Sequence, residues 1–307
     1  MDAAPRFRHE ALLYAGLDDF VERTAAFVRA GLRAGEAVAV AVIESRAGAL
    51  RKELAADADL VTWIDMERVG RNPARIIPTW REWTAAQGPR GRRGVAEPIW
   101  VGRDAAELVE CGHHEVLLDL AFAGEPWWLL CPYDVSGLHP EVITEARRAH
   151  PPPPAGATGE RCSRPDAEVY AATLRGPPLP AAPGHAERLA FRAGELAGVR
   201  TLVRRTLPDA TRIRVDHALL AIGEITGNSV VHGGAAGTIV VWSEGAHLFC
   251  DVHDAGRITD PLAGRHRPTT DQDGGRGLWI ANQICDLVQI RSTETGTTVR
   301  LRLRVSD

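Results

Sequence analysis

Residues 223–234, GEITGNSVVHGG, place a carboxylate, Glu224, four residues before a carboxamide, Asn228, and then run into His232, Gly233 and Gly234. Residues four apart on a helix lie on one face, so both groups can meet a single ligand. An amide oxygen such as that of Asn228 is a hard ligand suited to Mg²⁺ bridging phosphates. A carboxylate one turn earlier can take a proton from an attacking hydroxyl or water. Three more short elements follow in order: Asp254-x-Gly256 in DAGRI, Gly275-x-Gly277 in GGRGL, and GTTV at Gly296–Val299. Asp254 can accept a hydrogen bond from an exocyclic amine like that of adenine, and Gly256 lets a ring approach the backbone. A Gly-x-Gly that opens a helix presents N–H groups to phosphate. Each element alone is ordinarily a turn or a solvated helix face. All four in this order, on the right element types, point to a nucleotide site.

The elements that must hold these residues are legible from periodicity. VDHALLAIGEITGNSVVHG reads as a helix with Val215, Leu219, Ile222 and Ile225 on one side and Glu224 and Asn228 turned away. LAGVRTLVRRTL and GLWIANQIC are helical as well. TIVVWS and HLFCDVHD form a hairpin across EGA, DLVQIRST is a strand, and TVRLRLRV alternates. In that last strand Val299, Leu301, Leu303 and Val305 point inward and Arg300, Arg302 and Arg304 outward. Antiparallel strands with helices on one face make an α+β sandwich.

The N-terminal half alternates differently. EAVAVAVIES is a near-continuous β-prone run, as expected of a strand covered on both faces, and LVTWIDM, GVAEPIWV and PWWLLCPYDV are further buried strands. LDDFVERTAAFVRAGL, ARIIPTWREWTAAQ and AAELVECGHHEVLLDLAF carry helical spacing. The alternation predicts an α/β sheet with parallel pairs. No GxxxxGK[ST] occurs, which excludes a working P-loop. A proline-rich stretch from HPPPPAGATG to RGPPLPAAPG separates the halves. The expected division is a domain over 1–151, a linker over 152–184 with a short helix at AEVYAATL, and a second domain over 185–307.

Composition bounds the rest. The chain has 307 residues, 45% apolar and 25% charged, as in a soluble globular protein. A net charge of −4 gives no nucleic-acid footprint. Five scattered cysteines without a CxxC suggest reduced thiols in a cytoplasm. No signal-like start and no membrane-length apolar run occur.

By these four elements, residues 185–305 resemble the GHKL (Bergerat) ATPase fold of histidine kinases, gyrase, Hsp90 and anti-sigma-factor serine kinases. GEITGNSVVHGG followed by GGRGLWIANQICD is most similar to the anti-sigma-factor branch. The resemblance implies ATP and Mg²⁺ as cofactors. It gives Asn228 as metal ligand and Glu224 as general base. The nucleotide contacts would be Asn228, His232, Asp254, Gly256, Gly275, Arg276, Gly277 and Thr297, with adenine on Asp254. DAGRI departs from the family's DxGxG, with Ile258 where the second glycine stands. The segments HEALLYAGLDDFVERTAAFVRAGLRAGEAVAVAV and WWLLCPYDVSGLHPEVITEARRAHP resemble the MEDS sensory domain. That implies a mostly parallel sheet, RecA-like in arrangement, and an unidentified small ligand.

Together these resemblances imply a cytoplasmic sensor that controls an ATP-dependent serine/threonine protein kinase of the anti-sigma-factor type. Its partners would be a STAS-domain anti-sigma-factor antagonist and a sigma factor, with no direct nucleic acid and no membrane; a homodimer is left open. One alternative is a binding module whose nucleotide is structural or absent, which the Ile258 departure favours. Another is a histidine kinase, which the proline-rich stretch upstream of the ATPase-like region argues against. In the first half, Cys111, His113, His114 and Glu115 form a cluster able to bind metal or haem, though capping and packing explain it as well and its spacing matches no zinc pattern. Trp80, Trp83, Trp127 and Trp128 are core or pocket walls, and RGRRG at 90–94 is expected to be a solvated loop.

Overall fold

The computed structural model describes residues 7–150, 167–207, 211–268 and 275–305. The chain divides into two compact units between residues 166 and 167.

The first unit alternates strand and helix: β1 (Arg8–Tyr14), α1 (Gly16–Arg33), β2 (Ala37–Val42), α2 (Glu44–Leu54), β3 (Val61–Asp65), α3 (Met66–Val69), α4 (Ile76–Ala86), β4 (Arg92–Ala96), α5 (Ala105–Ala121), β5 (Trp127–Asp134) and α6 (Pro140–Ala149). The strands form one all-parallel sheet in the order β1-β5-β4-β2-β3. Every residue of β2, AVAVAV, is buried, which is what a central strand covered on both faces requires. Its valines pack with Phe20 and Val28 of α1 and Leu50 and Leu54 of α2. Trp80, Trp83 and Trp127 are buried against one another as core, with ring centroids 5.3–6.3 Å apart. Helix α5 starts on a capping box between Asp104 and Glu107.

One expectation fails here. RGRRG is not a solvated loop, because Arg92, Arg93 and Gly94 enter β4. Arg93 is buried, pairs with Glu36 at 2.6 Å and lies over the Phe27 and Trp128 rings. Its stem fills apolar space while its head keeps a charged partner.

The second unit comprises α7 (Ala167–Arg175), β6 (Glu187–Arg192), α8 (Leu196–Thr206), α9 (Arg212–His232), β7 (Ala236–Glu244), β8 (His247–Asp254), α10 (Arg276–Ile284), β9 (Leu287–Thr293) and β10 (Gly296–Arg304). Its sheet is wholly antiparallel, in the order β6-β7-β8-β10-β9. The inner face sets Ile239, Val241, Val252 and Leu301 against Val203, Ile222 and Ile225 of α8 and α9. This is the α+β sandwich the strand pattern predicts. Strand β6, missed by periodicity, closes one edge against β7 with only Phe191 buried.

The outer face is not left to solvent, which corrects the expectation of helices on one face only. Helix α7 packs on β9, with Tyr170 and Leu174 buried. Arg291 Nε donates to the Pro177 carbonyl at 2.7 Å, and Arg300 Nη2 to that of Pro180 at 2.8 Å. Arg300, expected to face water, is 7% exposed. It grips the Asp251 carboxylate bidentately at 2.6 and 2.7 Å. The alternation of β10 is right, but a strand's second face is solvated only if nothing covers it. Here residues 167–180 do.

Candidate nucleotide site

The site lies at one end of α9. Thr211 caps the start of that helix, its hydroxyl accepting from the Arg214 amide. The apolar stripe at Val215, Ala218, Ile222 and Ile225 is buried on the sheet. That burial fixes the rotation of α9 and turns Asn228 toward a cleft of about 310 Å³. The cleft gathers Asn228 and His232 of α9, Asp254 at the end of β8, Gly256 and Ile258 of the following loop, Gly275 before α10 and Thr297 of β10.

Asp254 is held before any ligand arrives. Its Oδ2 accepts from Ser229 Oγ at 2.6 Å and its Oδ1 from the Gly256 amide at 2.8 Å. A carboxylate has about four accepting positions. Two donors leave each oxygen able to accept once more, from a group such as an exocyclic amine. Behind it a relay ties the loop to the sheet. The Ile258 amide donates to Ser292 Oγ at 2.8 Å, Ser292 lies 2.8 Å from Thr297 Oγ1, and Thr297 donates to the Gly256 carbonyl at 2.8 Å. A carbonyl can only accept, so the Thr297 proton points to Gly256 and the Ser292 proton to Thr297. This relay fixes the turn where the second glycine of the motif is missing, and the Ile258 side chain becomes part of the cleft wall.

Two glycines shape the opposite wall. Gly275 takes φ +76° at the N-cap of α10, a conformation other residues adopt at a cost, and has no side chain of its own to cap that helix. The first turn of α10 begins beside the cleft. Gly277 lies under Asn228, where an added Cβ would come within 2.7 Å of Asn228 Nδ2. A larger residue there would push the carboxamide out of place.

Of the residues singled out by sequence, the structure thus brings Asn228, His232, Asp254, Gly256, Gly275 and Thr297 to one cleft, with Gly277 beneath it. Arg276 is exposed at the first position of α10. Glu224 lines a neighbouring groove between α8 and α9, with Leu196, Arg200 and Leu220. Ser229 and Ser292 were not foreseen. Ser292 faces Thr297 directly across β9 and β10, a relation that appears only once strand register is known.

In the first unit, the stretch Cys111–Glu115 does not converge on itself. Cys111 Sγ donates to the Pro98 carbonyl, and burial pushes its thiol up to about 12. His113 turns to Glu110 at 3.3 Å. His114 is fully buried but is not among the residues that converge with Glu115, which lies beside His9, Cys131 and His150. Sequence also missed a second polar group at the carboxyl ends of the strands. There Glu97, fully buried, accepts from Tyr14 Oη at 2.6 Å and Arg46 Nε at 2.8 Å, and Arg46 also approaches Asp134 at 3.4 Å. Burial pushes Glu97 up to about 7 against the pull of Arg46.

Residues 8–151 match the family described as MEDS, the methanogen/methylotroph DcmR sensory domain. Residues 189–303 match the histidine kinase-like ATPase domain. No curated protein matches. Among solved structures, one of the RsbU and RsbW domains of a Mycobacterium tuberculosis protein is 22% identical over 39% of this chain, at a TM-score of 0.30. The matched part spans about a third of that structure, 33%. Among the described residues, no helix is long and apolar enough to cross a membrane. The chain carries a MEDS domain at its N-terminus and a histidine kinase-like ATPase domain at its C-terminus.

Proposed function

We propose that this protein is a cytoplasmic regulator in which the MEDS unit controls an Mg²⁺-ATP-binding unit of the anti-sigma-factor kinase type. The observation that carries the reading is the cleft in which Asn228, the hydrogen-bonded Asp254 carboxylate and the glycine-led start of α10 converge. Asp254 would take the exocyclic amine of adenine, Asn228 the metal, and the amides of α10 the phosphates. The unidentified small ligand of the MEDS unit would bind at the carboxyl ends of β1, β4 and β5, the usual ligand edge of a parallel sheet.

When bound, Mg²⁺-ATP supplies the phosphoryl group and most of the electrostatic driving force for its transfer. The protein's part is to orient the acceptor and remove its proton. Glu224, one turn before Asn228, would accept the proton of a serine hydroxyl on a STAS-domain antagonist. The same surface would alternatively hold a sigma factor.

A second reading has its own support. Glu224 lines the groove beside the cleft, next to Arg200, and Ile258 replaces a motif glycine. Both fit a binding module that holds its partner without transferring phosphate. Incubating the full chain with labelled ATP, Mg²⁺ and candidate STAS proteins separates the two. Label on an antagonist serine supports the kinase. Nucleotide-dependent complex formation without label supports the module.

A further inference from the structure

Four donors from four separate elements meet in the interior of the first unit. His9 lies on β1, Glu115 on α5, Cys131 on β5 and His150 at the C-cap of α6. They are 1%, 2%, 0% and 8% exposed. His9 and Cys131 are placed by register: β1 and β5 pair in parallel, with His9 opposite Leu129 and Ala11 opposite Cys131. His9 and Cys131 therefore project from the same face of the sheet. One ligand atom from each of the four residues lies within 4.8 Å of all the others.

The orientation of the imidazoles decides what belongs between them. His150 Nδ1 lies 2.8 Å from the Ala146 carbonyl, which can only accept, so the ring carries its proton there. His9 Nδ1 faces the Asp119 carboxylate at 3.5 Å. The Nε2 atoms of the two rings lie 2.9 Å apart, close enough to share one proton or to flank one cation. Glu115 Oε2 lies 3.2 Å from both Nε2 atoms without the alignment of a hydrogen bond, and Cys131 Sγ lies 3.2 Å from His9 Nε2. A carboxylate and a sulfur beside two imidazole nitrogens in a dry interior favour a positive centre, which a cation among the four can supply.

We propose that His9, Glu115, Cys131 and His150 form a closed four-ligand site for a divalent d-block cation, for which Zn²⁺ is the best match. Two imidazole nitrogens, one thiolate and one carboxylate are zinc donors, and the sulfur and nitrogens disfavour Mg²⁺ and Ca²⁺. Bond lengths of about 2.0–2.3 Å give tetrahedral edges of roughly 3.3–3.7 Å. Four of the six separations, at 2.9–3.2 Å, would widen to these by a few tenths of an ångström, and those from Cys131 to Glu115 and His150 lie within 4.8 Å. One thiolate and one carboxylate offset the two charges of the ion, so the site is neutral overall. The Ala146 carbonyl and the Asp119 carboxylate supply the outer partners that orient metal-bound imidazoles. Donors this close leave no slot for a planar macrocycle, so haem does not fit. Four protein ligands fill the coordination shell, which makes the site structural or regulatory. His150 directly precedes the proline-rich segment in sequence, so the ion would fix the point where the chain leaves the MEDS unit.

The test uses the full chain. Metal analysis of protein purified without chelator should find about one zinc per molecule. Metal-free protein titrated with Co²⁺ should show tetrahedral Co²⁺ absorption and a thiolate-to-Co²⁺ charge-transfer band. Cys131→Ser should lose that band, whereas Cys111→Ser, a neighbouring buried thiol, should keep it. Asp119→Asn, which leaves all four ligands in place, should weaken Co²⁺ binding about 10–100-fold, and it keeps the test decisive if Cys131→Ser does not fold. Substoichiometric zinc together with no Co²⁺ band in folded wild type would overturn the proposal. So would a band that survives Cys131→Ser, or unchanged affinity in Asp119→Asn.

Discussion

The candidate nucleotide cleft of the second unit and the buried donor cluster of the first are built in opposite ways. The cleft uses short runs of adjacent residues: Asn228 and Ser229, Asp254 and Gly256, Gly275 and Gly277. Each run solves a local backbone problem, such as a left-handed N-cap at Gly275 or the close approach of Gly277 to Asn228. Only glycine solves those well, so the solution shows in the sequence. The cluster instead draws single residues from positions 9, 115, 131 and 150, each in an ordinary strand or helix. Nothing local sets them apart. Motifs that constrain backbone can be read along the chain, whereas motifs made by tertiary convergence cannot.

The largest effect that sharpens this contrast is at Glu224. Phosphotransfer per folded molecule should fall about 10²–10⁴-fold in Glu224→Gln while ATP affinity holds, the usual worth of a positioned base. A rate unchanged in the folded variant would move Glu224 from chemistry to partner contact in its groove.

Glu97 tests the first unit. Its folded pKa, about 7, lies above its ordinary 4.5. Between those values the unfolded chain has released the proton and the folded chain still holds it, so stability falls as pH rises through that window. The shift corresponds to about 3 kcal/mol, fully expressed above pH 7 and absent below about 4.5. Urea unfolding of Glu97→Gln at a series of pH values should show that slope removed. An unaltered slope would place the titration elsewhere.

Asp254→Asn replaces a carboxylate that accepts from Ser229 and Gly256 with an amide that has one accepting oxygen. ATP affinity should drop by ~1.5–3 kcal/mol, the scale of a charged hydrogen bond. The smallest effect belongs to Thr297→Val. It removes the last donor of the relay to Gly256, and thermal unfolding should report a loss of about 1 kcal/mol.

Much of the fold follows from periodicity. The β7–β8 hairpin, the alternation of β10 and the fully buried β2 are all read from spacing, because each is set by which faces meet apolar neighbours. The failures share one cause. Arg93 and Arg300 carry charge, yet both are buried, because Glu36 and Asp251 pair with them and aromatic rings or residues 167–180 cover them. Partners and covers of that kind come from far along the chain. The proline-rich stretch hid the same fact: its composition says extended chain, but its second part supplies carbonyls to Arg291 and Arg300. In the cleft, Asn228 and Asp254 were legible, while Ser292 waited on the register of β9 and β10.

Calorimetric titration of ATP into the full chain, with and without Mg²⁺, addresses the cleft most directly. Saturable binding is expected, strengthened by Mg²⁺ and weakened about 10–150-fold by Asp254→Asn, the equivalent of ~1.5–3 kcal/mol. Folded wild-type protein that takes up no nucleotide at millimolar ATP would contradict it.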